Sequence, residues 1–269
     1  MSTSYFLSPH VHLCVAGKQV VLLDLERDKY LALSQAHPVG RRVRGWPVVA
    51  SAATERLARA TESSARESQA GAGKSPAGVD VAVAQADVEA ALETESRLLE
   101  KMLGQRLLVT DPAVGKEAVP TVTEPPKVAL VEPQLLARPR VTGGQFWNLL
   151  RAHVAARWSL KRRPIKEVVQ AVRLWKKRGF NAGTMDVDRA RMLVAAFLYL
   201  RPLFYTAREA CLLDSLTLIR YLAGYGVFPD WVFGVKTEPF YAHCWVQQGG
   251  RVFNDSPEYL GEFTPILVV

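Results

Sequence analysis

Cysteine is scarce in this chain: three in 269 residues, at Cys14, Cys211 and Cys244. An odd number at wide spacing argues against a disulfide framework and fits a reducing compartment. CxxC and HExxH spacings are missing and the five histidines are scattered, so no metal site is expected. Long apolar runs are lacking as well. The longest, Met192 to Leu200, has nine residues, too few to cross a bilayer, and no membrane association is expected. The opening MSTSYFLSPHVHLCV has no basic stretch ahead of an apolar one, so no signal peptide is expected and the cytoplasm is the expected location. Acid is nearly absent from one stretch. Arg138 to Arg178 holds 12 Lys or Arg against Glu167 alone, a local charge of +11 in a chain of net +8, which leaves the remainder at −3. Such a basic face is either a solvated helix surface or an attractor of nucleic acid, acidic peptide or acidic protein.

The chain is 49% hydrophobic and 22% charged, the composition of one large or two smaller globular domains. Residues 5–34 read as a three-stranded meander: Val11, Leu13 and Val15 alternate with less apolar neighbours, Ala16-Gly17-Lys18 turns, Val20 to Leu23 follows, and Glu26 to Lys29 turns again before Tyr30 to Leu33. Residues 50–84, rich in Ala, Ser, Gly and Glu, read as a weak helix and then a flexible insertion. A stronger helix is expected from an Asp87 N-cap, with Leu92, Leu98, Leu99, Met102 and Leu103 as its apolar stripe and Gly104 as its stop. Pro112, Pro120, Pro125, Pro126, Pro133 and Pro139 predict an extended linker over 111–140. This gives an expected division into 1–110, linker and 141–269. Beyond the linker, Phe146, Leu149, Leu150 and Val154, then Ile165 to Leu174, then Asp186 to Leu200, read as helices.

A fourth helix opens at Cys211, followed by Leu212, Leu213, Leu216, Ile219 and Leu222 at helical spacing. A cysteine at a helix start meets unpaired N–H groups and the positive end of the helix dipole, which favour a thiolate. His243 lies on a strand, Tyr241 to Val246, and Asp255 follows the next one. Taken singly, Cys211 reads as a small core residue, His243 as a strand residue bonded to backbone, and Asp255 as a hairpin end. In this order they read as a nucleophile, its base and an orienting group. A two-residue Gly249-Gly250 turn would place Asp255 opposite Cys244 and away from His243. A three-residue loop, Gln248-Gly249-Gly250, would pair His243 with Asp255 on one face, and that register is expected. Cys244 is expected to point to the opposite face, as core, and Cys14 is expected to be structural.

Cys211-Leu212-Leu213-Asp214-Ser215-Leu216, Gly234-Val235, Pro239-Phe240-Tyr241-Ala242-His243-Cys244-Trp245-Val246 and Asn254-Asp255 resemble the lasso-peptide biosynthesis B proteins, which are transglutaminase-like leader peptidases. The resemblance spans roughly residues 141–269. Residues 1–110 resemble the PqqD-like recognition element that binds precursor leaders. What the resemblance implies is an α+β chain, with a small winged-helix-like N-terminal domain of three strands and then helices, joined to a transglutaminase/papain-like cysteine peptidase domain. It also implies a lasso precursor peptide as substrate, and as partner an asparagine-synthetase-like macrolactam cyclase that itself uses the ATP, with no cofactor bound directly by this chain. Carried over by position, Cys211 is the nucleophile, His243 the general base and acid, and Asp255 the orienter. Cys244 departs from the small residue expected after the histidine.

Strand 29–34 would be an edge to which an extended leader adds by main-chain bonds, with Tyr30, Leu31, Leu33, Leu99 and Met102 lining side-chain pockets. For Leu33 and Leu99 a core position is an equal reading. Two rivals use the same residues differently. One is an acyltransferase in which an amine resolves the acyl-enzyme. The other is a non-catalytic adaptor binding peptide or, through the basic stretch, nucleic acid. Of these, the peptidase is the expectation, without nucleic acid as partner.

Overall fold

The computed structural model describes residues 4–34, 38–47, 95–132, 139–179, 185–205 and 210–269. The expected insertion at 50–84 and the helix start at Asp87 lie outside the described residues. The fold is α+β, with strands preceding helices, in two compact units. One comprises 1–11, 18–20 and 32–119, the other 12–17, 21–31 and 120–269.

In the first unit β1 (Phe6–Leu7) runs antiparallel to β5 (Leu108–Val109), pairing Phe6 with Val109 and Leu7 with Leu108. Leu7 also exchanges backbone hydrogen bonds with Lys116, at 2.9 and 2.8 Å. A helix, α1, covers 95–104. It ends at the expected Gly104, but the left-handed residue that closes the turn is Arg106, at φ 57°. The Leu107 amide returns to the Met102 carbonyl at 2.8 Å, satisfying a last-turn carbonyl. Leu99, Met102, Leu107 and Leu108 are buried.

Strands β2 (Val11–Ala16), β3 (Gln19–Asp24) and β4 (Lys29–Ser34) form a sheet in that order, so that among the described residues β4 is an edge. Gly17 makes the first turn at φ 58°, where a side chain would be strained. Cys14, Ala16, Val21, Leu23 and Leu25 are buried in the same core as Leu149, Val168, Val194 and Leu218. That shared core is why residues 12–17 and 21–31 fall in the second unit rather than with the rest of 1–110.

The second unit is built on a five-stranded sheet, in the order β10-β7-β8-β9-β6. Its strands are β6 (Val128–Ala129), β7 (Asp230–Thr237), β8 (Phe240–Gln248), β9 (Arg251–Val252) and β10 (Thr264–Val268). β6 comes from the proline-rich stretch and runs parallel to β9. From 120 onward that stretch belongs to the second unit. Thr121 Oγ1 donates to the Ile266 carbonyl at 2.7 Å, Gln247 Nε2 donates to the Glu124 carbonyl at 2.8 Å, and Leu130 and Val131 are buried.

Four of the described helices share this unit's core: α2 (Gly143–Arg162), α3 (Ile165–Gly179), α4 (Val187–Leu200) and α5 (Cys211–Ala223). α2 starts with a capping box, in which Thr142 Oγ1 accepts from the Gln145 amide and Gln145 Oε1 accepts from the Thr142 amide. Asp186 caps α4, accepting from the amides of Asp188 and Arg189 at 3.1 Å. Val154 and Leu174, expected on apolar stripes, are more than half exposed. α2 buries Leu149, Ala152, Ala156 and Ser159 instead. α5 packs on α2 and β8, with Leu216, Leu218 and Leu222 fully buried. A short α6 (Pro257–Leu260), capped by Ser256, follows Asp255.

Candidate active site

Cys211 is the first residue of α5, and its side chain is half-buried. The Ala210 N-cap gives no side-chain hydrogen bond, so the helix's opening amides are not claimed by a cap. Next to the sulfur stands β8, which supplies His243 and Cys244. The Cys211 thiol titrates well below its ordinary value, at about 4. The largest cause is a hydrogen bond from the Cys244 thiol. Burial opposes the charge, while the His243 ring and the Cys244 backbone N–H favour it.

His243 is held on its other side. Its Nε2 lies 2.7 Å from Asp255 Oδ2, with the two side chains 10% and 25% exposed. Nδ1 is buried and closes no hydrogen bond among the described residues. It is the nitrogen left for Cys211, whose sulfur interacts with the ring. Burial disfavours the imidazolium, but Asp255 and then Cys211 outweigh it, and the ring titrates at about 9 against an ordinary 6.5. A thiolate beside an imidazolium oriented by a carboxylate is a nucleophile with a proton donor in place. Tyr259 and Phe263 flank the ring at 5.5 and 5.4 Å between centroids.

Cys244 is core, 3% exposed, as expected, but it is also a neighbour of Cys211, which the alternation of a strand did not suggest. The Ser215 hydroxyl donates to the Cys211 carbonyl at 2.7 Å and accepts from Trp231 Nε1 at 2.8 Å. Ser215 Oγ also lies 3.3 Å from Cys244 Sγ. With the hydroxyl proton committed to the carbonyl, the Cys244 proton is free to point at Ser215 or at the Cys211 sulfur. Burial keeps Cys244 protonated, its thiol held well above the ordinary value. It therefore stands as a hydrogen-bond donor.

The expected hairpin register is corrected. Gln247 pairs with Val252 and Gln248 with Arg251, which leaves Gly249-Gly250 as a two-residue turn. Both glycines have positive φ, 55° and 74°, the conformation that two-residue hairpin turns demand. Asp255 reaches His243 all the same, because β9 ends at Val252 and the chain leaves the ladder.

The five residues expected to bind leader peptide are divided. Tyr30 and Leu31 are half-buried in the second unit, and the Tyr30 ring meets Phe240 edge-on at 5.6 Å. Leu33 is half-buried in the first unit. Leu99 and Met102 are 3% and 0% exposed, the packing of core residues rather than of an open wall. Among the described residues no group of three His, Cys, Asp or Glu side chains could hold a metal ion. No described helix is long and apolar enough to cross a membrane.

Residues 149–268 match the sequence family described as the transglutaminase-like superfamily. Over 50 residues the chain is 47% identical to the microcin J25-processing protein McjB of Escherichia coli, a segment covering 19% of this chain and 24% of that protein. The chain thus aligns with about a quarter of the relative's length. No solved structure matches. Residues 149–268 are thus similar to the transglutaminase-like superfamily, and a 50-residue segment of the chain is similar to McjB.

Proposed function

We propose that this protein is a cysteine leader peptidase of lasso peptide maturation, acting in the cytoplasm through Cys211, His243 and Asp255. The observation that carries the reading is the 2.7 Å contact between His243 and Asp255 beside the cysteine that opens α5. The processing role in the name of the McjB relative agrees with it. The Cys211 thiolate attacks the carbonyl carbon at the leader–core junction and forms a C–S bond. The negative oxygen is stabilised by amides at the start of α5, among them that of Cys211. His243 delivers its proton to the leaving amine as the C–N bond breaks, which frees the core N-terminus. Water, deprotonated by the now neutral His243, attacks the thioester and releases the leader as a carboxylate.

The leader is held as an added strand along the β4 edge, with Tyr30 and Leu31 facing it. Residues 1–110 act as the PqqD-like recognition element. The freed amine is taken up by an asparagine-synthetase-like cyclase, which consumes the ATP and closes the macrolactam. Mass spectrometry of a precursor peptide incubated with this protein and the cyclase tests the reading. A leader fragment seen with wild type and absent with Cys211→Ala supports it. A leader joined by an amide to an added amine would point instead to acyl transfer. Cleavage by Cys211→Ala at the wild-type rate would overturn it.

A further inference from the structure

The β8–β9 hairpin carries a geometric conflict. Its register sets residue 255 opposite Cys244, on the strand face away from His243. Asp255 nevertheless contacts His243 at 2.7 Å, so the chain abandons the ladder within three residues of Val252. One side chain makes that exit. Phe253 still donates its amide to the Val246 carbonyl at 2.9 Å. In a regular antiparallel pair the Val246 amide would return the bond to the Phe253 carbonyl. Here the Val246 amide donates to Asn254 Oδ1 at 2.9 Å. Asn254 thereby takes a strand's place in the ladder with its side chain, and its backbone is turned out of it.

The other end of the same amide is anchored. Asn254 Nδ2 donates to Asp214 Oδ2 at 2.7 Å. Asp214 is 2% exposed and lies on α5 three residues after Cys211. Arg201 Nη1 donates to both its oxygens, at 3.1 and 3.3 Å, and the Tyr205 hydroxyl to Oδ1 at 2.9 Å. Arg201 Nη1 also reaches the Asn254 carbonyl at 3.4 Å. A buried carboxylate with three donor groups is a fixed point, because moving it strands a charge. It joins the helix that carries Cys211 to the loop that carries Asp255, touching neither the sulfur nor the imidazole.

We propose that Asn254, anchored by Asp214, is a positioning residue that breaks the β8–β9 register and so delivers Asp255 to His243. The inference rests on the catalytic reading of Cys211 and His243, but its test needs no substrate. The full-length protein is alkylated with iodoacetamide across pH and the Cys211 adduct is followed by mass. Wild type, Asn254→Ala, Asp255→Ala and the double variant are compared, with folding checked by circular dichroism. Asn254→Ala is expected to move the midpoint of reactivity upward by about one to three pH units, the scale of losing a nearby opposite charge. The double variant should follow Asp255→Ala alone, since a residue acting through Asp255 has nothing left to position. Asn254→Ser, too short to span Val246 and Asp214, should shift in the same direction, and it carries the comparison if Asn254→Ala does not fold. A folded Asn254 variant with the wild-type profile, or a double variant whose shift is the sum of the singles, overturns the proposal. Failure of the peptidase reading would show separately, as precursor cleavage indifferent to Cys211.

Discussion

Replacing Asp255 with alanine should disarm Cys211 without touching it. His243 titrates at about 9 because Asp255 and Cys211 together outweigh the cost of burying its charge. Without the carboxylate that balance tips, and the ring returns toward its ordinary 6.5. At pH 7.5 a group titrating at about 9 is ~97% protonated, whereas one at 6.5 is only ~9% protonated, a roughly tenfold loss of imidazolium. The thiolate loses its partner in proportion, so its own titration rises. The imidazole also loses the group that holds its Nε2, since among the described residues only Asp255 bonds that nitrogen. Cleavage kcat/KM at pH 7.5 should therefore fall at least about tenfold, and Cys211 alkylation should need a higher pH. Below about pH 8 the alkylation reports Cys211 alone, since burial holds Cys14 up at about 12 and keeps Cys244 protonated. An Asp255→Ala protein that folds and matches wild type within about twofold in both assays would refute the reasoning.

The pH profile of wild-type cleavage should be a plateau with two limbs. Activity needs the sulfur deprotonated and the ring protonated, so it rises as pH climbs through about 4 and falls as pH passes about 9. Initial rates across that range check it. Gly250→Ala should lower the melting temperature, because φ 74° strains any side chain and the new methyl would meet the Pro125 carbonyl at 3.1 Å. A loss of about 1 kcal/mol or more is expected, measured by thermal unfolding. Asp186→Ala should cost about 1 kcal/mol through the lost α4 cap while leaving Cys211 reactivity unchanged, measured by urea denaturation and alkylation.

The grouping of Cys211, His243 and Asp255 was legible because their order is chemical. A cysteine opening an apolar helix and a histidine on a strand can be placed by periodicity alone, and both elements are where the spacing put them. Asp255 was legible only as a nearby acid. Period-two reasoning could join it to His243 only by assuming a three-residue loop, since it has no means of representing a side chain that replaces a backbone partner. Asn254 does that, and the two positive-φ glycines then form the tighter turn their backbones favour. Cys244 shows the same limit. Alternation sent it to the core, where it is, but the helix packed on that core brings Cys211 alongside it. Long-range assembly was the least legible. Proline density in 111–140 reads as extended chain, but nothing local shows that Val128 and Ala129 pair in parallel with Arg251 and Val252. Nor does the meander of 5–34 reveal by itself that Cys14, Val21 and Leu23 bury against helices more than a hundred residues away. The stripe of Leu99 and Met102 gave a helix face, and burial made that face core.

The central claim is that Cys211 carries the leader as a thioester. Mixing wild-type protein with the precursor, quenching in acid and weighing the intact chain tests it most directly. The account predicts a transient species heavier by the mass of the leader acyl group, mapped to Cys211 and absent from Cys211→Ala. Leader released at the wild-type rate by Cys211→Ala, with no adduct on either protein, would contradict it.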